Sequence, residues 1–245
     1  MTALMVAGVP LVPALAVALV AVTSAVHGAV GFGMNLLAVP VLVVLDPAYV
    51  PGPAVAAGLV LSLLVAGRER APLDRRLGWA VLGLVPGTLL ALGLLALVPA
   101  ESLAAPMGAL VLVAVVLSAI RVKLSPTPVT LAVAGVASGF LATAASIGGP
   151  PLALVYAQSH GPRLRSNLSA FFVVTAAGSL VALAATGHFG AHELRLSALY
   201  VPGVVAGFLA SGPLRPLVDR GHVRPAVLWL SAAAGVGAIL EGILH

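Results

Sequence analysis

Two short glycine-rich stretches, set inside apolar segments, are where this sequence could do chemistry. The first is Gly28-Ala29-Val30-Gly31-Phe32-Gly33. The second is Ser146-Ile147-Gly148-Gly149-Pro150-Pro151. Each precedes a short apolar segment, at 34–46 and 149–159. A helix interrupted in this way leaves backbone N–H and C=O groups without partners, and hydrocarbon offers none. Such a break is tolerated where it is buried or lines a wet cavity. The restarting helices, near Met34–Asn35 and Gly149–Pro150, direct free N–H groups and the positive ends of their dipoles into that cavity. Glycine lets a ligand approach the backbone closely. The chemistry expected is anion binding, with Gly31, Gly33, Gly148 and Gly149 as the backbone surface.

Polar side chains near the breaks extend the candidate set. His27 lies one turn before the first break, and an ionisable residue within the membrane is a functional candidate by default. Asn35 begins the first half-helix, where it can cap the helix and touch a ligand. Ser24 approaches the break, although Ser and Thr in membrane helices, Thr23 included, often bond their own backbone. Ser146 lies inside the second break. Arg165 and Asn167, leading into the eighth segment, are candidates to attract or gate an anion, against the plainer reading of Arg163 and Arg165 as topology determinants. Gly58, Ser62 and Ser169 suit helix packing and pore lining equally well. Tyr156, Gln158, Ser159 and His160 read as interfacial, with Tyr156 in an aromatic belt.

The elements that must position these residues span a membrane. Hydrophobic residues make up 61% of the 245 and charged residues 8%, too few charges to clothe a water-facing surface. Ten apolar segments follow, at 8–29, 34–46, 51–67, 77–98, 103–120, 128–145, 149–159, 167–187, 194–213 and 223–243. The second and seventh cover only about half of a ~30 Å hydrocarbon core. Val85-Pro86-Gly87 recurs as Val201-Pro202-Gly203, and Gly33 maps at the same spacing onto Gly149. The fold expected is all-α and integral to the membrane: two five-segment repeats, 1–122 and 123–245, fused into one transmembrane domain. An odd number of segments inverts the second repeat. With the loop Arg68–Arg76 in the cytosol, Arg68, Arg70, Arg75, Arg76, Arg121, Lys123, Arg163, Arg165, Arg215, Arg220 and Arg224 are all inside, and only Arg195 is outside. Both termini are then extracytoplasmic.

The pattern resembles the sulfite exporter TauE/SafE family. The residues that carry the resemblance are Gly28-x-x-Gly31-Phe32-Gly33 followed by Pro40, and Gly135-x-x-x-Gly139 leading to Gly148-Gly149-Pro150. It covers essentially the whole chain. It implies a multi-pass transporter of the cell (inner) membrane that exports sulfite, sulfonates or related sulfur-containing anions. The chain departs from the family's run of three glycines, because Met34 and Asn35 follow Gly33 and Pro150 follows Gly149.

Other functions are disfavoured. There is no cysteine, hence no thiolate site or cysteine nucleophile. The basic balance has no interleaved aromatics and does not read as nucleic-acid binding. The acids Asp46, Glu69, Asp74, Glu101, Glu193, Asp219 and Glu241 fall at loops or helix ends, with no catalytic pairing. His188 and His192 have metal-ligand spacing, but Gly187–Glu193 reads as an exposed loop. No enzyme activity, cofactor or metal is expected. The partners are a small inorganic or organic sulfur-containing anion and the lipid bilayer, with a homodimer allowed. The absence of a midplane carboxylate favours export without a coupling ion, by alternating access. A channel-like anion uniporter and a proton-coupled uptake permease, with His27 as proton carrier, are the alternatives.

Overall fold

The computed structural model describes residues 5–6, 9–98, 104–119, 124–159 and 161–219, with positions 229, 232, 233 and 236. The expected tenth segment lies outside the described residues apart from those four positions, as do His160, Arg121, Lys123, Arg220 and Arg224. After a minimal pairing of Met5–Val6 with Val9–Pro10, the chain is helical. The helices are α1 (Leu11–Val30), α2 (Met34–Leu45), α3 (Gly52–Arg68), α4 (Leu77–Leu97), α5 (Ala104–Ala119), α6 (Pro128–Ala145), α7 (Gly149–Val155), α8 (Gly161–Ala185) and α9 (Ala191–Asp219). A 3-10 turn at Pro47–Tyr49 links α2 to α3.

Six helical stretches among the described residues are long and apolar enough to cross a membrane, and the protein is an integral membrane protein. Large apolar side chains such as Leu82, Leu89, Val181 and Leu209 are exposed on them and face lipid. At 1.5 Å per residue, α2 extends about 18 Å and α7 about 10 Å, so neither reaches across a ~30 Å core. The two anomalous segments are therefore half-helices.

Local chemistry sets the boundaries. Thr127 and Thr130 form a reciprocal capping box before α6, with Pro128 in the first turn. Gly161, at φ of 61°, and Pro162 start α8 six residues before the expected 167. Arg and Asn are acceptable helix residues, so the hydrocarbon boundary does not end the helix. Arg163, Arg165 and Asn167 thus belong to α8 itself. The same reasoning extends α9 beyond 194–213 at both ends.

Close approach of small residues organises the bundle. Gly203 lies against Val17, Gly207 against Ala21 and Ser24, and Ser211 against Gly28. The two sequences advance together, so α1 and α9 run parallel. In the same way Gly83 lies against Ala132 and Gly135, and Gly87 against Val136 and Phe140, so α4 and α6 run parallel. A Cβ at Gly135 or Gly207 would overlap a carbonyl oxygen of the facing helix, Ala80 or Ala21. Between these pairs α3 packs along α8.

One end of the bundle collects the charges. Arg165 and Arg215 reach Glu69, Ser166 donates to the Ala71 carbonyl, and the Asp74 N–H donates to Asn167. These contacts join the C-terminal ends of α3 and α9 to the N-terminal ends of α4 and α8. Arg195 sits twenty residues before Arg215 on α9, about 30 Å away. Because α1 parallels α9 it runs toward the Arg-rich end. Because α6 parallels α4 it runs away from that end.

Candidate functional site

The two breaks meet. In the first, Gly31 and Gly33 adopt φ of 102° and 109°, a region that only glycine enters without strain. They turn the chain sharply from α1 into α2. Gly33 caps α2 without any side-chain hydrogen bond, so among the described residues the first-turn N–H groups of α2 have no side-chain cap. In the second, Ser146 takes the left-handed conformation, φ of 61°, at the end of α6. Its Oγ donates to the Pro51 carbonyl at 2.9 Å. Asn35 Nδ2 joins the breaks, donating to Ser146 O at 2.9 Å and to Ala54 O at 3.1 Å.

Between the breaks lies a cavity with about 60 Å³ of water-accessible space. One water needs about 10–15 Å³ by the same measure, so the space suits a few waters or one small anion. Gly33, Met34, Asn35, Ser146, Gly148 and Gly149 form its backbone-rich side, and Phe32, Val55, Phe172 and Ala176 its apolar walls. His27 also lines it. That side chain is 6% exposed, and its Nε2 has no hydrogen-bond partner among the described residues. Its ring stands edge-on to Phe172 with centroids 5.9 Å apart. Asn35 Oδ1 is likewise buried without a partner.

Six of the ten candidate residues therefore line one cavity: His27, Gly33, Asn35, Ser146, Gly148 and Gly149. Gly31 is not part of the lining. A Cβ there would lie 3.0 Å from Arg165 Cγ. Ser24 faces α2 and donates to Met34 Sδ at 3.5 Å, while Thr23 bonds its own helix at Leu19 and Val20. Arg165 and Asn167 lie outside the cavity, at the Arg-rich end. Asn167 Nδ2 donates to Arg163 O, and its Oδ1 accepts from Asp74 N.

Several readings need correction. Asn35 does not cap α2: Gly33 holds the cap position, Asn35 lies inside the first turn, and its Oδ1, the atom a cap would use, accepts no hydrogen bond among the described residues. The second break contributes less as a helix terminus than the first. α7 has seven residues, and Pro150 and Pro151 carry no N–H, leaving chiefly the Gly148 and Gly149 amides. Tyr156 is buried, in the same apolar cluster as Leu77 and Leu84, and so does not face outward as a belt residue would. Its hydroxyl donates to Asp74 Oδ2 at 3.2 Å, which gives this aromatic a polar anchor inside the protein. Of the uncertain small residues, Gly58 and Ser62 line the cavity, whereas Ser169 donates to Ser166 O.

The Arg-rich end holds a feature the sequence did not single out. Glu69, 7% exposed, receives Arg215 Nη2 at 2.8 Å, Arg165 Nε at 3.2 Å and Arg68 Nε at 3.5 Å, all on Oε1. Arg68 also donates to Ser211 Oγ at 2.7 Å and to the Gly28 carbonyl, and its guanidinium stacks on Phe208. Beside this cluster a wider cavity of about 710 Å³ is lined by Asp74, Arg76, Tyr156, Arg163 and Asn167 among others. Burial of Asp74 works to raise its pKa, but hydrogen bonds and the charge of Arg76 outweigh burial and hold it below the usual value. Phe172 and Thr175 on α8 were also missed. The adjacent pair Phe171-Phe172 was the available signal. For Glu69 the signal was a lone carboxylate between Arg68 and Arg70 at the end of an apolar helix.

No curated protein and no solved structure matches this chain significantly. A family model described as Sulfite exporter TauE/SafE matches residues 14–238, a span that includes both breaks, the cavity and the Arg-rich end. The chain belongs to the sulfite exporter TauE/SafE family of membrane transporters.

Proposed function

We propose that this protein exports a small sulfur-containing oxyanion, sulfite or a short sulfonate, from the cytosol by alternating access. The observation that carries the reading is the convergence of both breaks on one cavity, with the uncapped N-terminus of α2 turned to it. In this reading the α2 first-turn amides and the Gly148 and Gly149 amides hold the anion. His27 Nε2 adds a donor, and Asn35 and Ser146 keep the two breaks in register. Phe32 and Phe172 exclude water, which strengthens each of these contacts.

We further infer two inverted repeats. The opposite directions of α1 and α6, and the matching parallel pairs α1/α9 and α4/α6, support the inversion. The segregation of Arg68, Arg70, Arg75, Arg76, Arg163, Arg165 and Arg215 from Arg195 supports a cytosolic Arg-rich end in the inner membrane. Rocking of one repeat against the other would expose the cavity to each side in turn. An anion leaving a negative interior goes downhill by about 2.3 kcal/mol per charge per 100 mV, so export needs no coupling ion. The described cavity lining includes no carboxylate to carry one.

Counterflow of labelled sulfite in proteoliposomes tests this. Saturable uptake stimulated by internal sulfite is expected. Uptake linear in concentration, without stimulation from the far side, would indicate a channel and refute alternating access. The unpartnered His27 Nε2 favours one further reading, proton-coupled uptake. It requires a pH gradient to drive accumulation, and His27→Gln to abolish that coupling.

A further inference from the structure

Three polar side chains of the cavity have their hydrogens committed to backbone carbonyls. Asn35 Nδ2 donates to Ser146 O at 2.9 Å and to Ala54 O at 3.1 Å. Ser146 Oγ donates to Pro51 O at 2.9 Å, and Thr175 Oγ1 to Phe171 O at 2.8 Å. A side-chain amide has two N–H hydrogens and a hydroxyl has one O–H. None of the three therefore has a hydrogen left for a ligand, and each offers it an acceptor. Asn35 Oδ1 is the one that still needs a donor, since it is buried and accepts no hydrogen bond among the described residues. Turning the amide round gives no relief, because Oδ1 would then face two carbonyls. A buried acceptor left without a donor is costly.

The donors of the cavity are of another kind. The first-turn amides of α2, the Gly148 and Gly149 amides and His27 Nε2 suit the oxygens of an anion. Asn35, Ser146 and Thr175 line the same space. A fully deprotonated oxyanion carries acceptors alone, and sets an oxygen against Asn35 Oδ1. An anion that keeps one hydrogen satisfies both kinds of group. Charge points the same way. The described lining includes no lysine or arginine. The cost of drying an ion rises with the square of its charge, which weighs against a dianion. Sulfite takes up a proton near neutrality, so both of its forms reach the site.

We propose that the cavity selects hydrogen sulfite over fully deprotonated sulfite, with Asn35 Oδ1 accepting the hydrogen of the ion while backbone amides hold its bare oxygens. This rests on the transport reading above and names the protonation state of the ion in that site. Asn35 then has two tasks. Its nitrogen ties the breaks together, and its oxygen sets the specificity. A proton leaves the cell on the substrate itself, so no side chain has to carry it.

The test is displacement of labelled sulfite from the purified full chain by two monoanions of one shape, at fixed neutral pH. Sulfamate carries an NH2 group on its SO3 head, and methanesulfonate a methyl group in the same place. Sulfamate should bind at least about tenfold more tightly, the cost of leaving a buried acceptor unsatisfied. Asn35→Ala removes the acceptor and should bring the two within about threefold of each other. A scaffolding role alone would weaken both equally. A second measurement needs no variant. The ratio of sulfite to methanesulfonate affinity should fall about tenfold per pH unit above the pKa of sulfite itself. His27 of α1 is the titratable group of the described lining, and Arg165 of α8, which lies against Gly31, pairs with Glu69 of α3. Helices α2, α5, α6 and α7 carry no titratable side chain. Titration of these protein groups acts on both anions and cancels in the ratio. Equal binding of sulfamate and methanesulfonate by the parent, or a ratio that stays flat with pH, overturns the proposal and leaves the transport reading standing. Absence of sulfite binding overturns both.

Discussion

Asn35→Asp is a nearly isosteric change at the residue that joins the two breaks. The amide nitrogen donates to Ser146 O at 2.9 Å and to Ala54 O at 3.1 Å. A carboxylate loses both bonds, each worth about 1 kcal/mol net, and sets an oxygen against two carbonyls. It also adds a negative charge to the anion cavity. At a separation of about 6 Å and an effective dielectric of about 20, repulsion of a bound monoanion is about 2.8 kcal/mol, or about 100-fold in affinity. Asn35→Ala loses the same hydrogen bonds without the charge. The difference between the two variants therefore isolates electrostatics from scaffolding. The assay is sulfite counterflow in proteoliposomes at neutral pH, with the melting temperature of each variant measured in detergent. Both variants should melt lower than the parent, and only Asn35→Asp should raise KM by about 100-fold. A KM for Asn35→Asp within about threefold of that for Asn35→Ala at neutral pH would refute anion binding beside Asn35.

Other perturbations probe separate parts of the structure. Gly33→Val and Gly149→Val should abolish sulfite flux while the protein still inserts. Gly33 sits at φ of 109°, where a side chain costs about 1–3 kcal/mol, and a Cβ at Gly149 meets Phe32 and Phe172 at 3.4 Å. Normal flux in both would exclude the breaks from the pathway. Gly135→Val should lower the melting temperature sharply, because Ala80 on α4 leaves no room for a Cβ. An unchanged value would mean that α4 and α6 do not approach this closely. The Asp74 carboxylate is held below its ordinary pKa of 3.8. It therefore stabilises the fold above that pH and ceases to do so as pH falls below it. The melting-temperature gap between the parent and Asp74→Asn should be constant near neutrality and close as pH falls below 3.8 and through the lowered pKa. A gap independent of pH would contradict the pairing with Arg76.

Much of this architecture is written locally in the sequence. Apolar length and charge segregation are additive properties, so the helix spans and the Arg-rich end could be read directly. The breaks were legible because Gly31 and Gly33 occupy conformations that other residues avoid. Contacts across the bundle were less accessible. That Asn35 bridges to Ser146 and Ala54, rather than capping its own helix, depends on α3 and α6 arriving beside it. Glu69 was legible as a helix-end charge but not as a buried one, since its burial comes from arginines about a hundred and more residues away. Tyr156 looked interfacial from its neighbours. Its anchor, Asp74, comes from another loop. α8 began earlier than its hydrophobicity suggested because helix propensity, unlike hydropathy, does not change at the membrane boundary.

The central claim, an anion held where the two breaks meet, is tested most directly by a structure determined at saturating sulfite. Density for the anion is expected within hydrogen-bonding distance of the first-turn amides of α2, facing Gly148, Gly149 and His27. A cavity left empty at saturation, with the protein transporting sulfite under the same conditions, would contradict it.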